Sequence, residues 1–253
     1  SRSRGIDSIA DEARRLAIET KEIVLTGINL SAYGKDTGSS LTELVRTLSD
    51  INVRKRLGSL ECEVIDGELL SAMRDGGFCE HFHLSLQSGC GAVLKAMNRH
   101  YDTHYYLEKV ELIRKYFPNA GITTDIICGF PTETEENHRE SLAFVEKVGF
   151  SDAHVFPYSK REGTPAARLV QIKNAVKQRR ASEMSAVTEK SKTEFLSAQC
   201  GKVYTVYLEE KDGDFYVGHT PNYIKVYTAC DSVKRIINLR MGEIYKEGVK
   251  GNE

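Results

Sequence analysis

The six cysteines, at 62, 79, 90, 128, 200 and 230, never come close enough to form a CxxC pair. Such sparse thiols argue against a disulfide-stapled secreted domain and for a reduced, cytoplasmic protein. No apolar run approaches the roughly 18 residues that a membrane span needs. The opening residues, SRSRG, have no apolar stretch behind them as a secretory signal would. They also lack a Met at position 1, which fits a piece of a longer chain. A Walker loop, a GxGxxG turn and a Ser-His-Asp arrangement are absent too, so the common phosphate-cradling and triad chemistries have no foothold. Charge of one sign is likewise missing: 35 Lys and Arg meet 36 Asp and Glu. The basic residues are uneven, however. Residues 160–194 hold nine Lys or Arg against four Glu, a stretch that either meets a polyanion or is simply solvated.

What is present alternates between two kinds of segment. Ile6, Ile9, Ala10, Ala13, Leu16 and Ala17 recur at helical spacing, and Glu22–Thr26 reads as a short buried strand. Ser40 with Glu43 makes a capping box ahead of Leu41, Leu44, Val45 and Leu48. Arg56–Glu61 is the next expected strand. Asp66 caps a helix that Gly76 and Gly77 stop, and His81–Leu86 is the third strand. Helices near 90–97 and 103–117 lead to a fourth strand, Gly121–Ile127. Thr132 and Glu135 form a second capping box, and Ser151–Phe156 is the fifth strand. Strands separated by helices demand a parallel sheet with right-handed crossovers, doubly wound or curled into a full or partial barrel. The first helix has no strand before it, so the chain is expected to start inside a βα unit.

The pattern then changes. A long helix is expected over 171–198, and beyond Gly201 the apolar period becomes two. Asp212 and Gly213 signal a hairpin turn, with Tyr216–Val217, Tyr223–Thr228 and Ile236–Leu239 as further strands. Short strands at this spacing suggest a small antiparallel barrel. The expected organisation is an α/β domain over 1–160, a helical connector over 161–198 and a β-barrel over 199–253.

Ligands of parallel sheets sit at the C-terminal ends of the strands. Thr26–Asn29, Ser59 with Glu61, Ser85 with Gln87, Asp125 with Cys128–Glu133, and Pro157–Ser159 occupy those ends. Turn and cap chemistry accounts for any one of them. Five polar strand ends together favour a binding edge. Cys79, His81, His83 and Cys90 form an uncommon spacing for structural zinc, and packing is the preferred reading.

Five segments carry a resemblance: Glu22–Gly34 (EIVLTGINLSAYG), His83–Gly89 (HLSLQSG), Met97–Tyr101 (MNRHY), Thr124–Thr134 (TDIICGFPTET) and Phe156–Pro165 (FPYSKREGTP). Together they resemble the radical S-adenosylmethionine methylthiotransferases, over essentially the whole chain. Gly201–Tyr204 and Gly218–Val226 are similar to the RNA-contacting TRAM module that ends these enzymes. The loop Leu25–Gly34 is similar to the branch that methylthiolates N6-threonylcarbamoyladenosine beside the tRNA anticodon. Other branches act on isopentenyladenosine in tRNA or on an aspartate of a ribosomal protein.

The resemblance implies a partial radical-SAM-type (β/α) barrel lacking its first strand, followed by a TRAM-like β-barrel. It implies S-adenosylmethionine and two [4Fe-4S] clusters for the full-length family. The Cys-x3-Cys-x2-Cys loop and the second cysteine set of that family are absent here. Neither a cluster nor another metal is therefore expected in this chain, which is expected to be inactive by itself and to carry no catalytic residue of its own. Gly27, Asn29, Ser59, Glu61, Ser85, Gln87, Arg99, Asp125, Gly129, Glu133, Phe156 and Tyr158 would line the cofactor, with Arg99 suited to its carboxylate. Arg179, Arg180, Lys202, His219, Tyr223 and Lys225 would grip a tRNA anticodon stem-loop. A sulfur donor and an electron donor complete the implied partners, with no membrane.

Overall fold

Helix α1 (Ile6–Glu19) turns Ala10 and Ala13 inward and leads into β1 (Glu22–Leu25). The computed structural model describes residues 2–230 and 235–253. Ser40 caps α2 (Leu41–Thr47) through the full box expected with Glu43, burying Leu41, Leu44 and Val45. Strand β2 (Arg54–Leu57) pairs in parallel with β1, Glu22 opposite Arg54 and Leu25 opposite Leu57. It begins two residues before the expected Arg56 and ends at Leu57, so Ser59 and Glu61 lie beyond the strand rather than in it. The side chain of Asp66 caps α3 (Gly67–Asp75), and β3 (His81–His83) follows.

Next come α4 (Gly91–Ala96), α5 (Thr103–Tyr116) and β4 (Gly121–Cys128). Helix α6 (Glu135–Val148) is capped by Thr134 with Asn137, not by Thr132 with Glu135. The proline before Thr132 and the tight turn from Phe130 to Glu133 shift the start two residues on. Gly149, at φ 63°, ends this helix in the left-handed region where a missing Cβ removes the steric cost. Strand β5 (Asp152–Pro157) pairs in parallel with β4, and α7 (Asn174–Gln199) is the long helix.

The last fifty residues form a closed barrel of β6 (Val203–Asp212), β7 (Phe215–His219), β8 (Lys225–Thr228), β9 (Ile236–Tyr245) and β10 (Gly248–Asn252). Four seams are antiparallel, as expected of a small antiparallel barrel, and β10 closes it on β8 in parallel. Strand β10 was not legible: two glycines among its five residues hide its period.

Two compact units result. One comprises Ser1–His83, Leu112–Gly121 and Leu196–Glu253; the other comprises Leu84–Glu111 and Ile122–Phe195. The first contains β1, β2, β3 and the closed barrel. Its core holds Leu44, Leu48, Leu60, Ile65, Leu69 and Met73, all fully buried. The second contains β5 and nearly all of β4, with Tyr106, Ile126, Val145 and Phe150 buried at its centre. In that unit the segment after β3 joins β4: the Leu84 N–H donates to the Thr123 carbonyl at 2.9 Å and the Gln87 N–H to the Asp125 carbonyl at 2.9 Å.

In the first unit β1 pairs with β2 alone among the described residues. A cavity of about 680 Å³ runs beside it, lined by apolar side chains of α1, β1 and α2 such as Leu16, Val24 and Leu44. Val24 is 50% exposed and Ile28 wholly so. An open edge next to apolar surface is a template for strand addition. This chain is therefore expected to self-associate in static light scattering, and Val24→Lys to shift it toward monomer. A monomeric wild-type chain at high concentration would refute the open-edge reading.

Candidate functional site

In the first unit the exit of β1 is an exposed turn. Gly27 and Asn29 both face solvent, and the Asn29 carboxamide accepts the Ala32 N–H at 3.1 Å, capping a short 3-10 turn. Ser31, which the sequence reading passed over, accepts the Glu61 N–H at 2.8 Å and so ties the β1 exit to the β2 exit. Ser59 is exposed and Glu61 half-buried beside that tie. Gly27, Asn29, Ser59 and Glu61 thus belong to one pair of adjoining turns. Only the bond from Ser31 could not be anticipated, since any serine in a loop looks alike in sequence.

In the second unit Gln87 adopts φ 70°, a left-handed backbone that a non-glycine residue rarely takes. It is held there by bonds on both sides, its N–H to Asp125 and its carbonyl accepting the Ile127 N–H at 2.9 Å. Such strain gathers at functional sites. The Tyr101 hydroxyl donates to the Ser85 carbonyl at 2.6 Å, fixing the approach to that turn. Arg99 lies half-buried in the turn after α4. Gly129, at φ 77°, lets β4 reverse into the Phe130–Glu133 turn, and the Gly129 N–H donates to the Glu133 carboxylate at 2.9 Å.

Glu133 is almost wholly buried, and its pKa is raised, chiefly by burial. Its carboxylate meets Arg180 at 2.8 Å, and Arg180 also donates to the Glu133 carbonyl at 3.0 Å. Glu133 therefore spends its hydrogen bonds on the fold of its own turn. Asp125 is half-buried on β4, Phe156 is 51% exposed on β5, and Tyr158 stands edge-on to Phe130 at 5.3 Å. Cys128 is buried, and desolvation pushes its thiol up to about 12.

The residues expected to grip RNA are scattered in environment. Arg180 is 4% exposed and held by Glu133 and Glu135, so it has no open face for a phosphate. Its assignment to the RNA set is corrected to a buried structural cation. Arg179 is exposed, and hydrogen bonds from it to Glu135 and Glu183 raise its pKa. Lys202 donates to Asn119 at 2.6 Å and to Gln199 at 3.0 Å. Lys225 pairs with Glu247 at 2.5 Å, which raises its pKa.

Tyr223 sits in a stack inside the first unit. His81 lies 4.5 Å from its ring centroid and His219 4.6 Å, both nearly parallel, and the Arg56 guanidinium is 4.6 Å away. His219 also meets Glu209 at 2.5 Å. The barrel turn 219–223 is thereby attached to β2 and β3. His81, one of the histidines weighed for zinc, is a stacking partner whose pKa burial lowers to about 3. Among the described residues no three His, Cys, Asp or Glu side chains group as metal ligands. No described helix is long and apolar enough to cross a membrane.

Comparison with known proteins places these features. Over 98% of its length the chain is 34% identical to a threonylcarbamoyladenosine tRNA methylthiotransferase, MtaB, of Bacillus subtilis, of which it covers 58%. Over 99% it is 36% identical to a tRNA-2-methylthio-N6-dimethylallyladenosine synthase of Acetivibrio thermocellus, of which it covers 55%. The chain thus spans little more than half the length of these curated relatives. Among solved structures, coproporphyrinogen III oxidase of Escherichia coli, a radical SAM enzyme, shares the fold at a TM-score of 0.55 and 17% identity, over 85% of this chain and 60% of that one. The radical SAM superfamily profile matches residues 1–145. With its parallel βα pairs, polar strand ends and a profile match over more than half its length, the chain belongs to the radical SAM superfamily.

Proposed function

We propose that the chain carries most of the barrel and the RNA-binding end of a tRNA methylthiotransferase acting on N6-threonylcarbamoyladenosine. The observation that carries this reading is the match to the B. subtilis protein, which runs through both the βα region and the closed barrel at 34% identity. The loop 26–34 at the exit of β1, exposed over 26–29, supports it through its resemblance to that branch. The similarity to the dimethylallyladenosine synthase of A. thermocellus favours a second reading, the same chemistry on the other adenosine.

S-adenosylmethionine would be bound at the strand exits. In the first unit Gly27, Asn29, Ser59 and Glu61 offer backbone, amide, hydroxyl and carboxylate groups to it. In the second, Ser85, Gln87, Arg99 and Asp125 supply polar contacts, the Gly129–Glu133 turn gives a shaped backbone, and Phe156 and Tyr158 give aromatic faces. When bound with an iron–sulfur cluster, S-adenosylmethionine supplies radical chemistry. Among the described residues no ligand group for a cluster is formed, and burial raises the Cys79, Cys90 and Cys128 thiols where a cluster needs thiolates.

The closed barrel is read as a TRAM-like RNA grip. Lys202, Lys225 and Arg179 would meet phosphates by exchanging their present partners, and Tyr223, 47% exposed, would meet a base at its edge rather than by a free face. His219 supports that stack.

The test is nucleoside mass spectrometry of tRNA from a host lacking its own methylthiotransferases and carrying the full-length gene. Methylthio-threonylcarbamoyladenosine is the expected product. Methylthio-dimethylallyladenosine in its place would establish the second reading, and neither product would overturn both.

A further inference from the structure

Helix α7 carries a cation at position 177 and another at 180, three residues apart and so on one face. Each reaches a different strand exit of the second unit. The Lys177 ammonium donates to the Tyr158 carbonyl at 3.0 Å and lies 5.6 Å from the centre of the Tyr158 ring. Its stem lies so close to Gly129 that a Cβ there would come within 2.4 Å of the Lys177 Cγ. Arg180 holds both the carboxylate and the carbonyl of Glu133, and that carboxylate in turn accepts the Gly129 N–H. The two exits are also joined directly, by the Tyr158 N–H donating to the Cys128 carbonyl at 2.8 Å.

Turns at strand exits are ordinarily among the easiest parts of a fold to open. Here two neighbouring cations of one helix reach both turns. The sequence showed only a basic helix, and a basic helix face is usually just solvated.

We propose that Lys177 and Arg180 are positioning residues: through them α7 sets the turns after β4 and β5 in the shape offered to the cofactor. This rests on reading the second unit as part of a S-adenosylmethionine edge. Lys177 is the informative position, because it is only half-buried and its stem can be kept.

The experiment compares Lys177→Met and Lys177→Arg with the wild-type chain. Hydrogen exchange followed by mass spectrometry is expected to speed up about tenfold at 129–133 and 156–160 in Lys177→Met, with α6 and the rest of α7 unchanged. Lys177→Arg restores protection, because its guanidinium can still donate to the Tyr158 carbonyl. Unchanged exchange, or a uniform rise across the unit, overturns the proposal. Calorimetric titration with S-adenosylhomocysteine is the second arm, with affinity expected to fall about tenfold in Lys177→Met and to return in Lys177→Arg. Equal binding by wild type and Lys177→Met overturns the positioning role. A wild-type chain that binds no S-adenosylhomocysteine but shows the expected exchange pattern overturns the cofactor reading and leaves the brace standing.

Discussion

Replacing Arg180 by methionine is expected to cost about 3–5 kcal/mol in urea unfolding, the penalty for stranding one member of a buried ion pair. Both side chains are nearly sealed, Arg180 at 5% and Glu133 at 2% exposure, so solvent screens the pair little. Methionine retains most of the volume and removes the charge. Burial already raises the Glu133 pKa in the wild-type protein. A carboxyl raised on folding makes the folded state the better proton binder between its unfolded and folded pKa values. Its stabilising contribution is full below the unfolded value and is lost as pH rises through the folded one. Removing Arg180 takes away a neighbour that holds this pKa down, so it rises further. The Arg180→Met deficit is thus expected to shrink as pH falls from neutral toward the carboxylate range. Adding Glu133→Gln should recover much of the loss at neutral pH, since no buried charge is then left. A deficit below about 1 kcal/mol, the level of an exposed pair, would show that the pair is not sealed.

Arg180 also shows where sequence reading stops. A run of basic residues on a helix gives no sign of which ones face inward, and Arg179 and Arg180 look equivalent on the page. In the fold they differ sharply: Arg179 lies at the surface between Glu135 and Glu183, while Arg180 turns toward Glu133. The Glu133 side of that pair was legible only as part of a motif. Its own bonds, to Gly129 and Arg180, say that the motif holds a turn.

The strand and helix order, by contrast, was written in local signals. The Ser40–Glu43 box, the Asp66 cap and the Gly76 stop act over three or four residues, so they survive in the sequence and reappear in the fold. Strand β2 was misplaced because Arg54 and Lys55 look like loop residues. Their charges are accommodated by partners that no strand pattern reveals, Glu22 on β1 for Arg54 and the Ile51 carbonyl just before the strand for Lys55. The closing strand β10 was missed for a related reason. Gly248 and Gly251 are tolerated because the neighbouring strands come too close for a side chain, the Lys225 carbonyl lying 2.0 Å from a Cβ built at Gly248. Such closeness is a property of barrel closure and leaves no periodic trace.

The same limit governs Glu22, whose replacement by glutamine is expected to be the second most damaging change. This residue opens β1 and reads in sequence as an ordinary strand-start carboxylate. In the fold it receives two guanidiniums from β2, Arg54 at 3.0 Å and Arg56 at 3.3 Å, which are 11% and 5% exposed. Arg54 and Arg56 then reach into the barrel turn, donating to the His219 carbonyl at 3.0 Å and the Pro221 carbonyl at 3.4 Å. One carboxylate thus balances two arginines that fasten the turn to the sheet. Glutamine keeps the shape but leaves two like charges facing each other without their counterion. The expected loss is about 3–5 kcal/mol, as for other broken buried pairs. It should be accompanied by loss of order at 219–223. Because Tyr223 is stacked between groups from β2, β3 and the turn, its amide and ring signals in NMR are the direct monitor. Glu22→Asp, which keeps the charge on a shorter arm, should recover part of the stability. If Glu22→Gln unfolds at the wild-type urea concentration with the Tyr223 signals unmoved, the carboxylate is not what holds the barrel turn to β2.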